Sequence, residues 1–263
     1  MIIDGQAIAQ EILGKVENQV KALKRPPCLA AITCAPNFET QKYLEMKKRR
    51  AALVGISLNV VELSKDATTE EAVECVKKVA EQVDGVVVQL PLPSQIDKDS
   101  VLQAVPREKD PDVFCYGEKH DRLLPPVVGA IDEISKLHKV EWKNKKVVIL
   151  GEGTLVGKPA ARYARKKGAK VRIYTREKFD ITSLKTADII VSGIGQPAFI
   201  KSDMVSEGVI LFDAGTSEDG GVLVGDVDKG VAEKASLLTP VPGGIGPITI
   251  AYLLSNLVQL VRQ

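Results

Sequence analysis

Short apolar runs alternate with longer, charged, helix-like segments along almost the whole of this chain, and that alternation limits its fold more than any other feature. The runs are Leu29–Cys34, Ser57–Leu63, Val86–Leu90, Val147–Leu150, Lys170–Tyr174, Ile189–Ser192 and Val209–Asp213. Between and around them lie segments with helical character at Ile8–Leu23, Thr40–Val54, Thr69–Val83, Val127–Leu137, Lys158–Lys167 and Ile248–Val261. Strands separated by helices pair in parallel, because each helix carries the chain back to the same end of the sheet. The expected class is α/β, with parallel sheets covered by helices. An aromatic content of only 4% agrees, since Val and Ile fill sheets that are buried on both faces.

The chain divides into two halves. The strands up to Leu90 form one, and from Val147 a new strand, glycine turn and helix start afresh. Pro106–Pro126, with four prolines and few apolar runs, lies between them. The expected domains are 1–124, completed by a closing helix at 246–263, and 125–245. With 36 basic and 34 acidic residues the net charge is +2, which gives no global argument for nucleic acid or a membrane surface. No apolar stretch approaches a membrane span, and Met-Ile-Ile-Asp-Gly at the start lacks the basic lead of a signal peptide. Cys28, Cys34, Cys75 and Cys115 form no Cys-x-x-Cys pair and only two histidines exist, so neither a Cys/His metal site nor a disulfide framework is expected. A cytoplasmic protein is the expectation.

Val147–Leu150 opens into Gly151-Glu152-Gly153-Thr154-Leu155-Val156-Gly157-Lys158-Pro159. A buried strand, a tight turn and a helix start are the parts of a dinucleotide site, where backbone N–H groups and the helix N-terminus face a pyrophosphate. The spacing Gly-x-Gly-x-x-x-Gly departs from the usual fingerprint, and a tight turn in any parallel sheet reads similarly. The next strand ends at Tyr174-Thr175-Arg176, where an acidic residue would accept the ribose 2′-hydroxyl of NAD. A hydroxyl and an arginine suit the 2′-phosphate of NADP instead. Glu152 opposes that phosphate, so NAD stays open. Gly193 and Gly195 after one strand, and Gly215 after another, line the same crevice beyond the carboxyl ends of the strands.

The first half holds the candidate chemistry. Tyr43 and Lys47 lie four residues apart on one helix face. Lys47-Lys48-Arg49-Arg50 is either a solvated basic face or a run whose mutual repulsion lowers the Lys47 pKa enough to make it a general base. Gln89 interrupts an apolar strand just before Pro91 and Pro93, where a carboxamide needs partners. Lys109-Asp110-Pro111-Asp112 is either a polar turn or a carboxylate placed to accept from a two-donor ring edge. Near the end, Thr239 to Thr249 packs three glycines and three prolines into eleven residues ahead of the last helix. This stretch is excluded from plain helix or central strand, and is either a domain connection or a rigid ligand cradle.

Taken together, Tyr43-x-x-x-Lys47, Val88-Gln89-Leu90-Pro91-Leu92-Pro93, Lys109-Asp110-x-Asp112, Val156-Gly157-x-Pro159, Gly225-Asp226-Val227-Asp228 and the Thr239–Thr249 run resemble the bifunctional methylenetetrahydrofolate dehydrogenase/cyclohydrolases, the FolD family, over nearly the whole chain. The resemblance implies oxidation of 5,10-methylenetetrahydrofolate with NADP and hydrolysis of the methenyl product to 10-formyltetrahydrofolate, in one-carbon metabolism and purine biosynthesis. It implies Lys47, Tyr43 and Gln89 as catalytic residues. Asp112, Pro242, Gly243 and Gly244, with Tyr43, would bind substrate. Gly151, Glu152, Gly153, Val156, Gly157, Thr175, Arg176, Gly193, Gly195, Gly215, Asp226 and Thr249 would bind the cofactor. It also implies a Rossmann-like second domain, an active site in the cleft between the domains, a homodimer, and a closing helix on the first domain.

This chain departs from the family pattern in several places. Gly151-Glu152-Gly153 stands for Gly-Arg-Ser, and Arg176 stands where a serine is frequent. Pro125-Pro126-Val127-Val128 replaces Pro-Cys-Thr-Pro, and Phe38-Glu39-Thr40 replaces Pro-Ala-Ser. Val113 takes the place of the glycine after Asp112, which predicts a turn of different shape. The alternatives are a dehydrogenase-only or cyclohydrolase-only member, or a folate- or nucleotide-binding protein without turnover.

Overall fold

A computed structural model describes residues 1–117, 122–175 and 178–262. It is an α/β structure of two compact units, one of Met1–Ala9 with Tyr116–Thr249 and one of Gln10–Cys115 with Ile250–Gln263. The first strands and helices are α1 (Gly5–Lys21), β1 (Cys28–Cys34), α2 (Phe38–Leu53), β2 (Ser57–Leu63), α3 (Thr69–Ala80), β3 (Gly85–Val88) and α4 (Lys98–Gln103). They build a three-stranded parallel sheet of order β2-β1-β3. β1 and β3 are buried almost throughout, as continuous apolar runs covered on both faces must be. The last helix, α8 (Ile245–Val261), packs its Leu257 side chain against β3, where a Cβ on Gly85 would lie 2.5 Å from Leu257 Cδ1.

The other unit contains α5 (Pro126–Leu137), β4 (Lys146–Leu150), α6 (Gly157–Lys166), β5 (Lys170–Tyr174), α7 (Ile181–Lys185), β6 (Ile189–Ser192), β7 (Ile210–Asp213), the hairpin β8 (Ser217–Asp219) and β9 (Val222–Val224), and β10 (Leu237–Leu238). Five parallel strands lie in the order β10-β7-β6-β4-β5. The chain moves from β4 outward to β5 and then returns to the other side of β4 as β6. The strand order therefore reverses between β4 and β6. Crossovers leave in opposite directions there, and a crevice opens beyond the carboxyl ends of the two strands. Among the described residues no helix is long and apolar enough to cross a membrane.

Most helices start or stop within a few residues of the expected positions, and the differences have local causes. α2 begins at Phe38 because Asn37 caps it, accepting the Thr40 N–H at 2.9 Å. α8 begins at Ile245 rather than Ile248, so Gly246 and Pro247 of the glycine–proline run are helical after all. Proline is tolerated in a first turn, where its missing N–H has no intrahelical partner to lose. The short α4 and α7 and the β8–β9 hairpin were not expected; each is too brief to show a period in sequence.

Candidate active site and dinucleotide turn

In the unit of β1–β3, the strand order reverses between β1 and β3, and the candidate catalytic side chains sit at that end. Gln89 follows the last residue of β3, and its backbone N–H still pairs with Ile32 O at 2.8 Å. Its side chain reaches α2, where Lys47 Nζ donates to Gln89 Oε1 at 2.8 Å. Two groups 42 positions apart in sequence thus meet at one strand end. Tyr43 lies one turn before Lys47 on the same helix and is half-buried.

Lys47 and Asp112 each keep part of their surface accessible, yet desolvation dominates at both charged ends. Burial pushes the Lys47 pKa below its usual range, against the opposing pull of the Asp112 charge. Burial likewise raises Asp112, against the pull of Lys47. Both groups are driven toward their neutral forms. The direction expected for Lys47 is found, but its cause is different. Lys48 and Arg49 are exposed and act as the solvated face of the helix, so water screens their repulsion, while the interior makes the neutral amine favourable.

Asp112 is carried on a turn that the interior grips from several sides. Asp110, 6% exposed, accepts the N–H groups of Val113 at 2.9 Å and Phe114 at 2.7 Å. Burial, aided by the Asp112 charge, pushes Asp110 up to about 7. Lys109 Nζ donates to Ala80 O at the end of α3. Asn256, buried on α8, donates from Nδ2 to Pro111 O at 2.9 Å. Val113 has φ +57°, the left-handed conformation that glycine favours. Valine here holds a backbone conformation that glycine adopts without strain. Asp110 and Asn256 as supports, and the strain at Val113, were not read from sequence. A buried Asp two residues before the candidate ligand was the one available signal.

In the other unit Gly151, Gly153 and Gly157 divide the work of the turn between β4 and α6. Gly151 has φ +103°, and a Cβ there would stand 2.8 Å from Gly193 O. A Cβ on Gly157 would stand 1.9 Å from Gly151 O, so only glycine lets α6 start this close to the strand end. Gly153 has nothing within 4 Å of its Cβ position. Packing explains the outer two glycines and leaves the middle one open to a ligand, as a dinucleotide cradle requires. Glu152 is exposed, and Val156 is half-buried with its side chain against Gly193. Thr175, after β5, accepts the Lys178 N–H at 3.3 Å. Arg176 lies outside the described residues.

Across the switch point, Gly193 and Gly195 form the turn after β6, and Gly195 has φ +62°. Asp226, fully buried, accepts from Ser192 Oγ at 2.6 Å, Ile194 N at 2.9 Å and Gln196 N at 2.7 Å. Its neighbour Asp213 accepts from Gly215 N, Asp226 N and Val227 N at 3.0, 3.2 and 3.0 Å, and burial with the Asp226 charge pushes Asp213 up to about 7. In the glycine–proline run Gly244 N donates to Pro240 O at 2.7 Å, and Gly243 O accepts Gly5 N at 2.9 Å. Gly243, φ +103°, has open space at its Cβ position, and Pro242 beside it is exposed. Thr249 Oγ1 donates to Ile245 O at 3.0 Å within α8. Among the described residues no cluster of His, Cys, Asp and Glu is arranged to hold a metal ion.

Residues 3–112 match the family model for the tetrahydrofolate dehydrogenase/cyclohydrolase catalytic domain, and residues 125–263 match that for its NAD(P)-binding domain. The chain is 37% identical to the bifunctional protein FolD of Lactobacillus acidophilus, over 100% of this chain and 97% of that one. It is 34% identical to the FolD of Mycoplasmopsis synoviae, over 99% of each. Among solved structures, FolD of Campylobacter jejuni shares 32% identity with a TM-score of 0.90, over 100% of this chain and 98% of that one. The Trypanosoma brucei FolD complexed with NADP cofactor and inhibitor shares 31% identity with a TM-score of 0.92, over 100% of this chain and 97% of that one.

Two substitutions test how these turns are built. Val113→Gly relieves a β-branched residue of φ +57° and stabilises the protein by about 1 kcal/mol, net of the extra freedom of glycine in the unfolded chain. Thermal unfolding measures it, and a lowered midpoint would mean that the valine side chain contributes more by packing than it loses in strain. Gly157→Ala destabilises by roughly 2 kcal/mol or more, because backbone must move to admit the methyl group, whereas Gly153→Ala changes stability by less than about 0.5 kcal/mol. Equal melting of the two variants would refute this division of roles.

Proposed function

The chain belongs to the tetrahydrofolate dehydrogenase/cyclohydrolase family, and on that premise we propose that it oxidises 5,10-methylenetetrahydrofolate to the 5,10-methenyl cation and hydrolyses that cation to 10-formyltetrahydrofolate. The observation that carries the proposal is the bond from Lys47 Nζ to Gln89 Oε1 at 2.8 Å, made by an amine that burial drives toward neutrality. A neutral amine donates one hydrogen to the Gln89 carbonyl and keeps its lone pair. It also avoids placing a second positive charge beside a cationic substrate carbon.

In the hydrolytic step a water oxygen bonds to the methenyl carbon while Lys47 Nζ takes the proton that the water loses. The hydroxyl of that adduct then gives up its remaining proton as its oxygen forms the formyl C=O, and the carbon–N5 bond breaks with its electron pair leaving on N5, which takes up a proton in exchange. The Gln89 carbonyl orients the amine, and Tyr43, one turn away, assists. Asp112 anchors the amino-bearing edge of the pterin ring, with Pro242, Gly243 and Gly244 as further substrate contacts.

The open Gly153 position at the β4–β6 switch fits a dinucleotide held by Gly151, Glu152, Gly153, Val156, Gly157, Thr175, Gly193, Gly195, Gly215 and Thr249. Arg176 belongs to the same proposed set, whereas Asp226, fully buried behind the turn after β6, does not face the ligand. When bound, the dinucleotide supplies the hydride acceptor. We take it to be NADP, supported by Thr175-Arg176 and by the NADP complex of the T. brucei relative, with NAD as the competitor because of Glu152. The functional division is proposed at 124/125 with 246–263 completing the first domain. A cytoplasmic homodimer is the proposed state.

Mixing the protein with methylenetetrahydrofolate and either NADP or NAD, and following the methenyl absorbance, tests both reactions and the cofactor at once. A rise with NADP followed by decay faster than the uncatalysed rate is expected. No rise with either dinucleotide would favour a binding protein without turnover, and a rise without decay would favour a dehydrogenase-only enzyme.

Lys47→Met should abolish methenyl hydrolysis in a folded protein, and wild-type-like hydrolysis in that variant would sink the assigned role. In the wild type the hydrolytic rate should climb with pH as the amine loses its proton, with a midpoint below the ordinary lysine value of 10.5. The Asp112 charge raises the Lys47 pKa, so Asp112→Asn should move that midpoint further toward acid while raising KM for the folate. A midpoint that stays in place, or moves toward alkali, would contradict the coupling.

A further inference from the structure

The cofactor turn after β6 is held from beneath by two buried carboxylates in series. Asp226 uses one oxygen for Gln196 N and the other for Ser192 Oγ and Ile194 N. These donors bracket Gly193-Ile194-Gly195, so one side chain sets the path of the whole turn. Asp226 has no exposed surface, and its acceptor capacity faces the protein rather than the crevice. Its backbone is held in turn by Asp213, 2% exposed, through the N–H groups of Asp226 and Val227. The Asp213 N–H donates to Thr239 Oγ1 at 2.7 Å, which ties the series to the start of the glycine–proline run.

Two glycines exist to make room for this series. A Cβ on Gly215 would lie 2.1 Å from Asp226 Cγ, and a Cβ on Gly225 would lie 2.1 Å from Asp213 Oδ2. The turn matters beyond itself because Gly193 abuts both the Gly151 backbone and the Val156 side chain. Moving 193–196 therefore moves the spacing between the two glycine turns that flank the switch point.

We propose that Asp226 is a positioning residue for the dinucleotide, acting through the Ser192–Gln196 turn rather than by contact with the ligand, and that Asp213 and Thr239 position Asp226 in their turn. The inference rests on the dinucleotide reading of this unit. A carboxylate that touched the cofactor would place negative charge against its phosphates; one buried behind the turn fixes donors and glycines without that repulsion.

Calorimetric titration with NADP and with NAD tests it without needing turnover. Asp226→Asn leaves one oxygen for three donors, and the dinucleotide Kd should rise by about tenfold or more. Ser192→Ala removes a single donor, so the rise should be smaller, about threefold, and this variant carries the test if Asp226→Asn fails to fold. Gly215→Ala keeps every polar group but displaces the Asp226 carboxylate, and should weaken binding as Asp226→Asn does. Val231→Ala, in the apolar core of the same unit, lowers stability without removing any polar group of the turn and should leave Kd within about twofold. An unchanged Kd in Asp226→Asn or Ser192→Ala would overturn the inference, as would a loss of affinity in Val231→Ala that matches theirs. A wild-type protein that binds neither dinucleotide would overturn the cofactor reading itself, and this inference with it.

Discussion

Both units depend on one constraint: a parallel sheet that reverses its strand order beside its first strand must leave two strand ends uncovered by crossovers. In one unit the reversal falls between β1 and β3, and in the other between β4 and β6. At the first, α2 follows β1 and Gln89 follows β3, so Lys47 and Gln89 can meet. At the second, Gly151 follows β4 and Gly193 follows β6; a Cβ on Gly151 would meet the Gly193 backbone, and one on Gly193 would meet the Val156 side chain. Topology opens the space, and side-chain size at a few positions decides whether the space is filled by protein or left for a ligand. Leu257 fills the space beside Gly85, whereas Gly153 faces none.

Desolvation then supplies the chemistry. Ordinary lysine and aspartate side chains placed at these strand ends lose water and move toward neutrality. At Lys47 that shift favours the neutral amine. At Asp110 and Asp213 it raises the carboxyl pKa, yet each carboxyl also accepts several backbone N–H groups, which offset part of the penalty and fix the turn. The same desolvation therefore favours a neutral amine in one place and accompanies a structural bracket in another. The difference lies in the partners: Lys47 donates to the Gln89 carbonyl, while each of these aspartates accepts backbone N–H groups.

The strand–helix alternation was legible because strands buried on both faces, such as Ile189–Ser192, are apolar runs, and because the partly exposed strands Ser57–Leu63 and Lys170–Tyr174 mix apolar with polar residues over a strand's length. Ser57–Leu63, Lys170–Tyr174 and Ile189–Ser192 stand where the residues alone put them. Family membership and the two-domain α/β class were legible from Tyr43-x-x-x-Lys47, the Gln89 segment and the glycine–proline run. The start of α8 was not, because a glycine–proline run looks like a helix stop and only the packed backbone reveals that Gly246 and Pro247 form a first turn. Nor was the support beneath the site. Asn256 reaches Pro111 across 145 residues, and Asp226 reaches Ser192 across 34. Hydrogen bonds of that separation leave no period or spacing in the chain.

The cause of the Lys47 shift changes what the basic run is for. If repulsion within Lys47–Arg50 lowered the pKa, every charge in the run would belong to the active site. Salt would weaken the effect, and loss of one neighbour would return Lys47 toward its ordinary value. With burial as the cause, the exposed charges of Lys48 and Arg49 are separable from the chemistry, and the shift instead depends on the interior that closes around α2, β1 and β3. Gln89 has a double part in that interior. Its backbone N–H extends the β1–β3 pairing, and its side-chain carbonyl accepts from the amine end. The sheet and the amine are thus joined at a single residue, so a one-residue change in β3 register would flip Gln89 to the other face and part it from Lys47.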